Sequence, residues 1–317
     1  MKNRYGPFGI HGFDRESGIH VLIDEVSVPE NRWHRASETL SIAVHNYCDL
    51  SCSFCFAPKE AASLTSGDIL KWIELFSENG CFCVGFGGGE PTIYPDFTNL
   101  CKEARESTDL AITFTTHGHH LTEDYCGELL GNVDFVRVSM DGIEETYELL
   151  RGMAFSALIR NIRNLRGKIR FGIATVVNSR TLPELDDVLW TCKHEHAEEL
   201  LLLPEYQNGL VHLNEEERKR LEIWIMDNYQ NFPIRISDTS ASQFDVPLLE
   251  LPSWGPEKDY STFEFVHIDA SGRIKASSFD DGGVSIYDFP NALEALEHYR
   301  NCEPKKEVLD ENLESIC

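Results

Sequence analysis

The chain has 317 residues, 42% hydrophobic and 26% charged, a balance that suits one large globular domain with or without a smaller extension. Its formal net charge of −25 repels phosphate backbones and argues against nucleic acid as a partner; it leaves open simple solvation or an acidic groove for a basic substrate or peptide. No apolar run reaches the ~18 residues of a membrane span, and the opening MKNRYGPFGIHGF lacks the apolar core of a signal peptide, so no membrane association and a cytoplasmic location are expected.

Residues 1–39 read as an N-terminal extension, with strand-like alternation in HVLIDEVSV (20–28) and a loop in PENRWHR (29–35). From about residue 40, strand and helix signals alternate. LSIAVHNY (40–47) is the first strand, followed by a cysteine-bearing loop and an amphipathic helix over 66–79. CFCVGF (81–86) is the second strand, followed by GGGEPT and a helix over 96–107. The third strand, LAITFTT (110–116), precedes a helix near 122–130; the fourth, DFVRVSM (134–140), precedes helical signals over 144–165. KIRFGIATVV (168–177) and ELLLLP (199–204) are the fifth and sixth, followed by helices near 182–195 and 214–228. Six strand–helix units in succession imply a parallel sheet with helices packed outside it, too few for a closed eight-unit barrel. Beyond them lie short strand candidates at 234–237, 264–269 and 273–278, a hairpin turn at 270–272 and a helix over 291–299.

The ten cysteines are clustered in a way that points to chemistry. HNYCDLSCSFCFAPK places Cys48, Cys52 and Cys55 in a C-x3-C-x2-C spacing directly after the first strand. Short gaps on an irregular loop let three thiolates converge on one small inorganic cluster, leaving one iron of a four-iron cluster open. A structural zinc site is the rival reading, but it wants four ligands in separated pairs, and no second C-x2-C pair exists. Cys81, Cys83, Cys101 and Cys126 lie in predicted strands and helices and read as small buried hydrophobes. Cys302 and Cys317 sit in a charged terminal stretch.

The triplet, with the aromatic Phe54 ahead of the third cysteine, resembles the signature of the radical S-adenosylmethionine (SAM) superfamily. That resemblance implies a partial (β/α)6 barrel over 40–206, with 1–39 and 207–317 flanking or capping it. It implies one 4Fe-4S cluster on Cys48, Cys52 and Cys55, SAM bound at its open iron, and a 5′-deoxyadenosyl radical that abstracts a substrate hydrogen. An external one-electron reductant of flavodoxin or ferredoxin type would supply the electron.

Other loops agree with the resemblance. GFGGGEPT after the second strand is similar to the family's GGE-P motif. By that likeness the backbone at Gly88 and Gly89, together with Glu90, binds the SAM ammonium; an acidic residue there speaks against a phosphate cradle. VSMDGIEETYELLRG resembles an S-x-D-G…R-G segment, which places Ser139 and Asp141 near the ribose or SAM carboxylate and Arg151 on the carboxylate. Asp141 also reads as a turn residue before Gly142, and its spacing from Ser139 predicts one shared strand face. TFTTHGHHL matches a T-N-G position at Thr116 and Gly118, with His117 in place of asparagine. His117 becomes a candidate proton-transfer or substrate residue; with His119 and His120 it also admits a second-metal or a solvated-loop reading. Asn178, Glu205 and Tyr206 close later strands, and Glu205 is a substrate-contact candidate.

FVHIDASGRIKASSFD resembles the start of a cysteine-rich extension, but Ala276 and Ser277 stand where relatives often have cysteine, so a single cluster is expected. The substrate is expected to be a ribosomally made peptide or a small metabolite. A non-catalytic iron–sulfur sensor and a zinc-stabilised interaction protein are the alternatives from other classes.

Overall fold

The computed structural model describes residues 1–207, 210–241, 243–246, 264–280 and 282–302; Cys317 lies outside them. The chain opens with a three-stranded antiparallel sheet of β1 (Lys2–Gly6), β2 (Gly9–Asp14) and β3 (Ile19–Ile23). Sequence patterning finds only the last of these, because KNRYG and GIHGFD carry polar and glycine residues with little alternation. Tertiary contacts hold them instead. Arg4 is 2% exposed and donates to the Gly80 carbonyl at 3.2 Å, Lys2 reaches Asp109 at 2.5 Å, and Phe13 packs on Phe82 at 5.4 Å between centroids. Gly80, Phe82 and Asp109 lie just ahead of core strands, so this sheet covers the N-terminal ends of the barrel strands. The predicted loop at 29–35 contains a single 3-10 turn, Glu30–Arg32.

Six strands then pair in chain order, all parallel: β4 (Thr39–His45), β5 (Cys83–Gly88), β6 (Ala111–Thr116), β7 (Phe135–Ser139), β8 (Phe171–Val177) and β9 (Leu200–Pro204). A short hairpin follows, β10 (Tyr206–Gln207) with β11 (Leu210–Val211). β12 (Ile234–Ile236) adds in parallel beside β9. β13 (Phe265–Ile268) adds in parallel beside β4, and β14 (Arg273–Lys275) and β15 (Val284–Ser285) continue that edge antiparallel. The result is one ten-stranded mixed sheet with two edges and no closed barrel among the described residues.

The strand sequences explain the layering. Leu40, Ile42, Val44, Val84, Phe86, Ile112, Phe114, Val136 and Val138 alternate along their strands, are almost wholly buried, and share one core with the helices. The positions between or just after them are mostly small or polar: Ser41, Ala43, Gly85, Gly87, Thr113, Thr115 and Ser139, with the larger Arg137 paired to Glu199. Burying each large aliphatic or aromatic side chain contributes about 1.5–3 kcal/mol, so the helix-facing side supplies most of the sheet's packing energy.

Each helix has a local reason to begin or end. α1 (Ser66–Glu78) is capped by Thr65, whose Oγ1 accepts from Asp68 N at 3.1 Å, and it buries Ile69, Trp72, Ile73 and Phe76 at helical spacing. α2 (Phe97–Ser107) and the Thr122-capped α3 (Glu123–Leu129) follow. The helix expected over 144–165 is instead two, α4 (Glu144–Arg151) and α5 (Phe155–Ile162). Gly152 ends the first with φ of 71°, a left-handed C-terminal cap that glycine adopts without strain. α6 (Leu185–Glu195) and α7 (Glu215–Asn228) complete the succession, the latter opened by a capping box between Asn214 and Glu217. The C-terminal helix (Ala292–Cys302) lies against α1, β14 and β15. No described helix is long and apolar enough to cross a membrane.

The joint between β13 and β4 contains His267, 7% exposed, with Nδ1 3.0 Å from Ser41 Oγ. Burial pushes this imidazole down to about 4, against the opposing pull of Asp269 and Asp280. Unfolded histidine titrates near 6.5. Between those values the unfolded chain binds the extra proton, so stability falls as pH drops from about 6.5 towards 4. Thermal melts across this window should show a shallower acid loss for His267→Gln than for the parent; equal slopes would remove His267 from that role.

Candidate active site

The C-terminal ends of β4–β8 converge on the loop that follows β4, and that loop is tied at both ends. His45 bridges to Ser63, Asn46 N donates to the Ala62 carbonyl at 3.0 Å, and Leu64 N donates to the Val44 carbonyl at 3.0 Å. Between these ties lie Cys48, Cys52 and Cys55, all free thiols and all at least partly exposed. Leu50 N donates to Cys48 Sγ at 3.4 Å. Burial raises the Cys48 and Cys52 thiols, and the neighbouring cysteine of the triplet adds to each; Arg151 opposes the rise at Cys52. Neighbouring thiols with the Arg151 cation beside Cys52 suit a ligand that binds thiolates.

The exit of β5 fixes the start of this loop. Gly89 N donates to the His45 carbonyl at 2.7 Å and Glu90 N to the Tyr47 carbonyl at 2.8 Å. A Cβ on Gly88 would stand 2.3 Å from the His45 oxygen, and one on Gly89 would stand 1.8 Å from the Tyr47 oxygen. At Gly87 a Cβ would meet nothing within 4 Å. Gly88 and Gly89 are therefore required by backbone contact with the residues just ahead of Cys48.

Glu90 is 2% exposed, and its carboxylate turns into the protein. Oε1 accepts from Thr92 N at 3.1 Å, Thr92 Oγ1 at 2.6 Å and Thr116 Oγ1 at 2.7 Å, and Oε2 accepts from His117 N at 2.8 Å. Thr116 is also buried, its hydroxyl accepting from Gly118 N at 3.0 Å. The carboxylate expected to meet the ammonium thus also joins β5 to β6, and Oε2, with a single hydrogen bond, keeps acceptor capacity.

His117 is 3% exposed, which sets aside the solvated-loop reading for it. Its Nδ1 accepts from His119 N at 3.1 Å, so Nε2 carries the proton and donates to Asp49 Oδ1 at 2.8 Å. His120 Nε2 lies 2.9 Å from Asp49 Oδ2. Burial acts to raise the Asp49 carboxyl, but the His117 and His120 hydrogen bonds outweigh it and hold it below its ordinary value. His119 turns away to Tyr147 Oη at 2.8 Å, and burial pushes its imidazole down to about 4. Cys48 Sγ, an Asp49 oxygen and a His117 nitrogen lie within 4.8 Å of one another, a separation open to a cation. Asp49 carries no signal in a single sequence beyond its position inside the cysteine triplet.

At the end of β7 the expected shared face of Ser139 and Asp141 is not seen. The strand ends at Ser139, and Asp141 turns inward to 0% exposure, accepting from Val176 N at 2.6 Å. Its other oxygen receives Arg151 Nε and Nη2, each at 2.5 Å. Asp141 and Cys52 outweigh burial in keeping Arg151 cationic, and the guanidinium lies 5.4 Å from the Phe54 ring centroid. Among the described residues Arg151 Nη1 and Ser139 Oγ have no protein hydrogen-bond partner, which leaves both with unused hydrogen-bonding capacity. Glu205, further round the sheet, accepts from Asn178 Nδ2 at 2.9 Å.

The remaining cysteines divide by burial. Cys81, Cys101, Cys126 and Cys192 are fully buried, with Cys81 and Cys192 pushed up to about 12 and Cys126 to about 11; Cys83, expected to be buried like them, is only half-buried against Phe13, Phe82 and Ala111, and Cys302 is exposed. Ala276 and Ser277 lead to Phe279, whose ring packs on Phe56 of the cysteine loop at 4.5 Å.

Comparison with known proteins agrees with this arrangement. Residues 42–189 match the Radical SAM superfamily model. Fe-coproporphyrin III synthase of Methanosarcina barkeri is 29% identical over 180 residues, covering 52% of this chain and 45% of that protein. Mycofactocin maturase MftC of Mycobacterium tuberculosis is 30% identical over 152 residues, covering 44% of this chain and 38% of that protein. The matched stretch thus spans less than half the length of either relative. Streptococcus suis SuiB bound to S-adenosylmethionine superposes with a TM-score of 0.72 at 15% identity, over 94% of this chain and 88% of that one; a second SuiB structure holds the precursor peptide SuiA. At this identity the likeness is one of fold.

Gly89→Ala forces a backbone clash and should cost about 1–3 kcal/mol of stability. It should also lose most of the iron taken up on anaerobic reconstitution, while Gly87→Ala keeps the parent's content. Equal iron in the two variants would count against the packing role of Gly89.

Proposed function

We propose that this radical SAM superfamily enzyme binds one 4Fe-4S cluster through Cys48, Cys52 and Cys55, and SAM beside it, in order to abstract a hydrogen atom from a ribosomally made peptide. The observation that carries the reading is the loop with three free thiols, tied at both ends, with the Arg151 guanidinium over Phe54 beside Cys52. Those residues suit the group. The thiolates would ligate iron, Arg151 would take a carboxylate while Asp141 fixes its planar fork, and Ser139 would serve a ribose or carboxylate oxygen. The backbone of Gly88 and Gly89 would meet the ammonium. When bound, cluster and SAM supply the chemistry, one electron entering the sulfonium and the C–S bond breaking to give methionine and the 5′-deoxyadenosyl radical.

The protein's own work is placement. Arg151 over the Phe54 ring would shield one side of the cysteine loop, and small residues such as Ala43, Gly85, Gly87 and Ser139 would leave room for a substrate at the strand ends. The described residues beyond 207 would help to shape that space, with Glu205 available to a substrate group, whereas the expected part for residues 1–39 does not fit, since their sheet covers the opposite, N-terminal ends of the strands. A flavodoxin- or ferredoxin-type protein in the cytoplasm would deliver the electron. Two things support a peptide over a small metabolite: the fold likeness to SuiB, whose complex holds a precursor peptide, and a net charge of −25 that suits a basic segment. A small-molecule substrate is the second reading, favoured by the sequence likeness to Fe-coproporphyrin III synthase.

The parent, reconstituted without oxygen, should hold about four irons and no zinc, and release 5′-deoxyadenosine from SAM with dithionite. Replacing Cys48, Cys52 and Cys55 with Ala should abolish both. Iron without SAM cleavage in the parent would favour a sensor, and persistent cleavage in the triple variant would refute the ligand assignment.

A further inference from the structure

We propose that Asp49, His117 and Glu90 form a clamp that shapes the cysteine loop before any metal arrives, with all three acting as positioning residues. Asp49 sits between Cys48 and Cys52, on a loop whose two ends are tied but whose middle has few backbone hydrogen bonds of its own. The clamp supplies the missing restraint. Buried Glu90 accepts the His117 backbone N–H and so fixes where that residue leaves β6. The His119 N–H on Nδ1 then sets the tautomer, and the proton on Nε2 points at Asp49 Oδ1, 2.8 Å away, with Glu90 Oε2 behind it at 3.4 Å.

A buried donor meeting an ionised carboxylate belongs to the stronger class of hydrogen bonds. The His120 contact to the other Asp49 oxygen is about 40% exposed on both sides and contributes little restraint by itself. The device needs the length of histidine. An asparagine at 117, the residue that the family resemblance supplies there, would keep a polar atom near the Nδ1 position but could not span to Asp49. The clamp is therefore a property of this chain's own residues. Only its consequence for iron rests on the cluster reading above.

Hydrogen–deuterium exchange on the full-length, iron-free chain tests it. Peptides covering 46–64 should exchange roughly tenfold faster in Asp49→Ala and in His117→Asn than in the parent. His117→Gln, whose terminal amide reaches as far as Nε2, should stay within about twofold of the parent, and the double variant Asp49→Ala/His117→Asn should be no faster than either single change. Unchanged exchange in β8 would show the fold intact in each variant. The proposal is overturned if His117→Asn and His117→Gln behave alike, or if the two single effects add. In iron-loaded protein a chelator should strip metal in the same order. A parent that takes up no iron would sink the cluster assignment, while the iron-free exchange would still decide the clamp.

Discussion

The exits of β4 and β5 approach so closely that two side chains are forbidden there. The His45 and Tyr47 carbonyl oxygens occupy the space where Gly88 or Gly89 would carry a Cβ. This contact orders what lies around it. It lets Glu90 N reach Tyr47, brings the Glu90 carboxylate down onto Thr116 and His117 at the mouth of β6, and sets the first residue of the cysteine triplet against a rigid strand end. Three neighbouring strands are thus joined at their C-terminal ends through one turn of backbone and one buried carboxylate. Its burial is offset by the hydrogen bonds it receives from two segments, Thr92 on its own turn and Thr116–His117 at the end of β6.

A second set of restraints works from the far side of the site. Asp141 leaves β7, ties to the backbone of β8 through Val176, and holds Arg151 at the end of α4. The cation is aimed at Phe54 and Cys52 by a partner that is itself immobile. A lone buried carboxylate or guanidinium would be costly; the pair, with its remaining lone pair and donor engaged or open to a ligand, is a stable way to place a positive charge beside thiols.

Much of this was legible in the sequence, for physical reasons that differ by element. The parallel strands announce themselves because one face must carry large apolar residues against helices and the other need not, so Leu40-Ser41-Ile42-Ala43-Val44 reads clearly. The cysteine loop stands out in the sequence because three cysteines within eight residues are a pattern of both residue type and spacing, and that segment falls inside the matched Radical SAM region. β1 and β2 were not, because they are held by Arg4, Lys2 and Phe13 reaching segments remote in sequence rather than by their own alternation. The break at Gly152 was hidden by helical periodicity that continues on both sides of it. Asp49 and the inward turn of Glu90 were hidden for a related reason: an acidic residue in a loop looks the same in one dimension whether it faces a ligand, water or a histidine.

The edge formed by β13–β15 has a consequence for how the protein is made. β13 pairs with β4, and the turn after β14 lays Phe279 on Phe56, so the segment bearing the thiols is braced by residues near the opposite end of the chain. Such a long-range closure comes late in folding, since its loop entropy is met only once the intervening strand–helix units have formed. A nascent chain emerging from the ribosome exposes the thiols of this loop before the segment bearing Phe279 is synthesised, so the loop gains its brace only after those late strands have docked.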